Sequence, residues 1–142
     1  MPVETAVAAA SLLSGRTRRP GVHLCLAHGG GALPAVLPRS DRAQILAGRA
    51  EAAGHRMLGE RARELWCDSL TYDADSLRLT VERFGRDHVL LGTDYPFAAR
   101  EFPPGVVLDD LDEHLRAAIS RDNLCSIVAG RRHRSATRPA TG

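Results

Sequence analysis

The chain has 142 residues, enough for one domain with a real core, and it is 44% hydrophobic and 25% charged, as ordinary globular proteins are. A formal net charge of +2 gives no drive toward nucleic acid or an anionic membrane, although all 19 basic residues are arginine. No apolar run approaches the length of about 18 residues that a membrane-spanning helix needs, and Met1 to Gly15 lacks the basic start and unbroken apolar stretch of a signal peptide. A cytoplasmic location is therefore expected. Cys25, Cys67 and Cys125 stand singly and far apart, which argues against a disulfide framework or a zinc finger and predicts buried free thiols.

Helical spacing of Val3, Ala6, Val7, Ala10 and Leu13 predicts a first helix, with Gly15 as its stop. Arg16 to Gly21 reads as a basic turn. Val22 to Ala27 reads as a short strand, ended by His28-Gly29-Gly30-Gly31. Pro34 and Pro38 are expected to break the start of the following segment, with partial helix over Arg39 to Ala53 and a mobile loop around Gly54 to Arg63. Leu65 to Leu70 is the second expected strand. Asp73 or Asp75 then caps a helix with the stripe Leu77, Val81 and Phe84, stopped by Gly85. His88 to Leu91 is the third strand, uniformly apolar at Val89, Leu90 and Leu91 as a strand covered on both faces should be. Beyond Pro103-Pro104-Gly105, Leu108, Leu111, Leu115 and Ala118 share one helical face. Asp122 is expected to cap a last helix, and Arg131 to Gly142 to be a disordered basic tail.

Strands alternating with helices predict a parallel α/β sheet. In such folds functional groups gather at the C-terminal ends of the strands. His28 ends the first strand, Asp68, Tyr72 and Asp73 lie at or after the second, and Thr93 and Asp94 end the third. If the strands are parallel, His28 and Asp94 share a rim. Bland readings stand beside this one: a histidine in a tight turn, a turn aspartate at Asp94, helix caps at Asp73 and Asp75, and a satisfied interior carboxylate at Asp68. The triple glycine without a following lysine is not a phosphate loop.

Cys25-Leu26-Ala27-His28-Gly29-Gly30-Gly31-Ala32-Leu33-Pro34, followed by Arg39, resembles the aminocarboxymuconate-semialdehyde decarboxylase family of the amidohydrolase superfamily. So do Leu90-Leu91-Gly92-Thr93-Asp94-Tyr95-Pro96-Phe97, Cys67 to Asp73, and the opening Met1 to Thr5. The resemblance runs over residues 1 to 130 and implies the C-terminal half of a (β/α)₈ TIM barrel. It implies Asp94 as a ligand to Zn²⁺ or another divalent metal, and His28 as the catalytic histidine beside the metal-bound water. It implies Arg39 as an arginine that binds substrate carboxylate in a neighbouring subunit's site, hence a homo-oligomer. The implied reaction is decarboxylation of a small unsaturated or aromatic carboxylic acid, with a hydrolase or hydratase of the same superfamily as the alternative.

A complete barrel takes about 250 residues. The family's His-x-His pair and its mid-barrel histidine ligand belong upstream of the motifs present, and no His-x-His occurs in this sequence. One carboxylate does not hold a catalytic zinc that takes three protein ligands. The expectation is therefore a fragment inactive alone, which self-associates or pairs with a complementary N-terminal half, or else a non-catalytic remnant or partner subunit. Nucleic-acid binding by the arginine-rich tail is set aside, because no aromatic residues interleave with it.

Overall fold

A computed structural model describes residues 2–15, 22–51 and 54–129. The expected basic turn at 16–21 and the tail at 131–142 lie outside the described residues.

Helix α1 spans Pro2–Ser14 and buries Ala6, Ala9 and Leu13, while Val3 and Val7 of the expected stripe face outward. Strand β1 is Cys25–Leu26, β2 is Trp66–Asp68 and β3 is Val89–Leu90. They form one parallel sheet in the order β1-β2-β3, with Leu26 opposite Cys67 and Asp68 opposite Leu90. Each strand is shorter than its apolar run, because the flanking residues leave the ladder to enter turns or to meet helices. Leu91, for instance, donates its N–H to the carbonyl of Ile119 at 3.0 Å.

Between the strands run helix α2 (Leu33–Leu46), the short α3 (Leu58–Ala62) and α4 (Ala74–Phe84). Two expectations are corrected here. The prolines do not break the start of α2: Pro34 sits in the first turn, where its missing N–H has no intrahelical partner to lose, and Pro38 is accommodated inside. The stretch from Gly54 to Arg63 is not a plain loop. It contains α3, whose buried Leu58 and Ala62 dock on the core, and the Gly59 N–H donates to Asp41 Oδ1 of α2 at 3.0 Å. Of the two aspartates that might cap α4, Asp73 does so: its carboxylate accepts from the Ser76 N–H at 2.8 Å.

The last helical region is also rearranged. Leu108 falls in a single 3₁₀ turn, Val106–Leu108. Asp112, not Asp122, caps the helix that follows, accepting from the Leu115 N–H at 2.9 Å. Helix α5 (Glu113–Ala117) then runs through a π turn at Ala118–Asp122 into α6 (Asn123–Val128), so Asp122 lies within helix and makes no capping bond. Buried Asn123 staples this helix to the sheet, its amide donating to the carbonyls of Val89 at 2.8 Å and Arg86 at 2.9 Å.

Leu13, Leu33, Leu37, Leu65, Leu77, Phe84, Val89, Leu108 and Ile119 form the core between sheet and helices. Fully burying a side chain such as Phe84 is worth about 2–3 kcal/mol. Among the described residues the outer edges of β1 and β3 have no strand partner. Three parallel strands with open edges, joined by helices, make an incomplete barrel, the architecture the sequence predicts. The expectation of three buried thiols is corrected: Cys67 is buried, but Cys25 on the edge strand and Cys125 are exposed. No helix among the described residues is long and apolar enough to cross a membrane.

Candidate active site

Each strand hands its chain to a turn that a side chain adopts only under constraint. After β1, residues 28 to 31 all have positive φ: His28 at 58°, Gly29 at 59°, Gly30 at 80° and Gly31 at 61°. After β2, Tyr72 has φ 59°, and after β3, Asp94 has φ 61°. These three are the non-glycine residues with positive φ among those described, and all three line one cleft. The left-handed conformation costs a side chain about 1–2 kcal/mol, so it persists only where the surroundings impose it.

A Cβ on Gly30 would lie 2.7 Å from the Phe84 ring, and one on Gly31 would clash with the Pro2 carbonyl oxygen. The turn thus folds against α4 and the first turn of α1, and the Ala32 N–H donates to the Pro2 carbonyl at 3.1 Å. After β3, the Gly92 N–H donates to the hydroxyl of buried Ser69 at 3.3 Å. The loop beyond Asp94 is anchored by Glu101. This carboxylate is buried, and it accepts from the N–H groups of Gly105 at 2.7 Å and Val107 at 3.2 Å. The Tyr72 hydroxyl reaches the same loop, donating to the Ala99 carbonyl at 2.7 Å.

The result brings His28 and Asp94 together, as the parallel-strand reading requires. His28 Nε2 lies 3.6 Å from Asp94 Oδ1, each side chain about a quarter exposed at 26% and 24%. That separation is a little long for a direct hydrogen bond and short enough for an ion pair when the imidazole is protonated. The cleft holding them has a volume of about 460 Å³, within the range of small-molecule sites, and Pro2, Leu70, Tyr72 and Leu79 contribute to its walls. Arg39 is not brought in. It is exposed on α2 and does not line this cleft.

Tyr72, one of the polar strand-end residues, and Thr80, which carries no signal in the sequence, also line the cleft. A left-handed tyrosine has no local signature, and Thr80 reads as one more position on α4. Two histidines remote from the cleft have other surroundings. The rings of His23 and His88 pack on Trp66, with centroids 6.1 Å and 4.6 Å away, and His88 Nδ1 meets Asp87 Oδ1 at 3.0 Å.

Asp94 offers a hard oxygen and His28 a nitrogen, but among the described residues no group of three or more His, Cys, Asp or Glu side chains converges to hold an ion. A catalytic zinc takes three protein ligands. The described residues therefore do not fit a complete metal site.

A parallel, incomplete α/β barrel with polar side chains converging at the strand ends is the class that fold and site define. The amidohydrolase family model matches residues 9–123, and the chain belongs to that family. It is 38% identical over 117 residues to a 2-amino-3-carboxymuconate-6-semialdehyde decarboxylase of Caenorhabditis elegans, covering 78% of this chain and 28% of that protein. Its fold is similar to that of Metarhizium anisopliae IDCase in apo form (TM-score 0.75, 22% identity, 91% of this chain and 40% of that one). It is also similar to a dihydroxybenzoic acid decarboxylase from Polaromonas with bound manganese and 2-nitroresorcinol (TM-score 0.71, 22% identity, 92% and 41%). The chain thus spans less than a third of that curated relative and about two-fifths of the structural ones.

Proposed function

We propose that this chain carries part of the active site of a decarboxylase acting on a small unsaturated or aromatic carboxylic acid. The observation that supports this reading most directly is the His28–Asp94 pair, 3.6 Å apart at the strand ends of a family barrel. In the reaction the bond from carbon to the carboxylate breaks, carbon dioxide leaves, and the electron pair left on carbon takes a proton. His28 is suited to holding and moving that proton at Nε2. Asp94 is suited to giving one oxygen to a divalent metal, zinc or another, with the remaining ligands coming from outside the described residues. In this reading Arg39, which is exposed and outside the cleft, pairs bidentately with a substrate carboxylate in a neighbouring subunit's site.

The missing ligands and the open edges of β1 and β3 favour assembly, either with further copies or with a complementary barrel half. Residues 1–130 are the barrel segment in this proposal and 131–142 a basic tail. The cytoplasm suits its free thiols. The same ligand shortfall supports a second reading, a non-catalytic partner subunit.

The test is metal analysis and carbon dioxide release, measured on the chain alone and co-expressed with the N-terminal half of a family barrel. 2,6-Dihydroxybenzoate and 2-amino-3-carboxymuconate semialdehyde are the substrates to offer. The co-expressed protein should bind about one metal per site and release carbon dioxide, and His28→Ala should lower the rate by about 10²–10⁴-fold. Absence of metal and of turnover in both preparations would establish the non-catalytic reading.

A further inference from the structure

We infer that Asp68 is a positioning residue for His28: its carboxylate, at the end of β2, holds the glycine turn of β1 in the left-handed course that aims the imidazole at Asp94. The inference rests on the catalytic reading of His28 for its functional meaning, though not for its geometry.

Asp68 Oδ1 accepts two backbone N–H groups, from Gly29 at 2.7 Å and from Leu70 at 3.2 Å. The first bond crosses from one strand to the next and ends on the residue directly after His28. On the other side of the same residue, in the next peptide unit, the hydroxyl of buried Thr80 donates to the Gly29 carbonyl at 3.3 Å. Gly29 is therefore gripped at both its N–H and its carbonyl, by β2 and by α4. It is also gripped sterically, since a Cβ there would stand 2.5 Å from Thr71 Cγ2. A third strand closes on the same carboxylate. A Cβ on Gly92 would lie 2.5 Å from Asp68 Cβ, so the backbone that leads to Asp94 passes directly against the Asp68 side chain.

One carboxylate thus touches the two turns that carry His28 and Asp94. Charge-assisted acceptance from backbone N–H is the stronger kind of hydrogen bond, and it suits a turn that must outweigh the backbone strain at His28. A simple packing role would need neither an acceptor at this point nor a glycine at both neighbouring turns. Asp68 itself does not line the cleft, so it acts on the site through His28.

The test is nuclear magnetic resonance on the full chain, comparing the parent with Asp68→Asn, Asp68→Ala and Thr80→Val. A residue at positive φ gives a strong cross-relaxation peak between its own amide and α protons, so His28 reports its own conformation. Hydrogen exchange at the Gly29 amide reports the clamp. Asp68→Ala should weaken the His28 peak and speed Gly29 exchange by about tenfold, the fold-change that one hydrogen bond of this kind supports. Asp68→Asn keeps an oxygen acceptor and should preserve both signals. Asp68→Ala with both signals unchanged, or Asp68→Asn losing both, would overturn the inference. Should Asp68→Ala fail to fold, Thr80→Val releases the other side of the clamp. It should shift both signals in the same direction, and unchanged signals would again overturn the inference. Loss of turnover on replacing His28 is measured separately, so the clamp and the catalytic reading can fail independently.

Discussion

His28 and Asp94 come from the two outer strands of the sheet, β1 and β3, and meet 3.6 Å apart across the end of β2. Each has left-handed backbone, at φ 58° and 61°. The side chains do not reach over the middle strand from extended conformations; their turns fold inward.

That geometry separates function from stability at adjacent positions. His28→Gly removes the side chain from a left-handed residue and should melt no lower than the parent, with a gain of up to about 1 kcal/mol. Gly29→Ala puts a Cβ where Thr71 Cγ2 stands 2.5 Å away, at φ 59°, and should cost about 1–3 kcal/mol. Paired thermal melts decide the point, and a large destabilisation by His28→Gly would show that the imidazole is structural.

Glu101 should behave as an anchor for the loop that follows Asp94. Glu101→Ala leaves the N–H groups of Gly105 and Val107 without their acceptor and should cost about 1–3 kcal/mol, whereas Glu101→Gln keeps an oxygen in place and should cost less. Denaturant titration of the two variants measures the difference.

Asp73 gives a pH dependence with a definite sign. Its hydrogen bonds with Ser76 at the start of α4 favour the ionised form and hold its carboxyl below the usual aspartate value. The stabilisation is therefore fully present above the unfolded-state value of about 3.9 and is lost as pH falls through the lower folded-state value. Asp73→Ala should lower Tm at about pH 7, and the gap to the parent should close as the solution is acidified below the unfolded-state value of about 3.9. A gap that stays constant over this range would contradict the capping role.

The three thiols should separate by reactivity. Burial pushes the Cys67 thiol well above its ordinary range, and neighbouring Asp68 and Cys25 push in the same direction. Cys125 is exposed on α6. A thiol reagent at neutral pH should label Cys125 within the native state and Cys67 only on unfolding, as mass spectrometry of the labelled peptides would show. Early labelling of Cys67 would mean that the sheet opens.

The parallel sheet was legible because Val89-Leu90-Leu91 and the polar residues at each strand end carry the pattern of a doubly covered strand feeding a site. The rim that joins His28 to Asp94 followed from that alone. The helices were less legible where one residue admits two roles. Pro38 reads as a breaker, but a helix already begun at Leu33 absorbs it. Asp122 reads as the cap of the last helix, but the π turn carries the helix past it, and the capping bond is made by Asp112 at the start of α5. Asp68 looks like any interior carboxylate, because its bond to Gly29 joins residues 39 positions apart and leaves no local trace. Arg39 is the reverse case. Its motif stands out in the sequence, while in the structure it is exposed on α2, outside the cleft.

The contact between Gly31 and Pro2 has a mechanical consequence. The Pro2 carbonyl occupies the space that any side chain at position 31 would need, and it also accepts the Ala32 N–H. The leading end of α1 and the glycine turn are therefore two parts of one joint. Helix α1 is 13 residues long, and its first residue, Pro2, forms part of the cleft wall. A side chain at position 31 would displace the start of α1, and with it the part of the cleft wall that Pro2 forms.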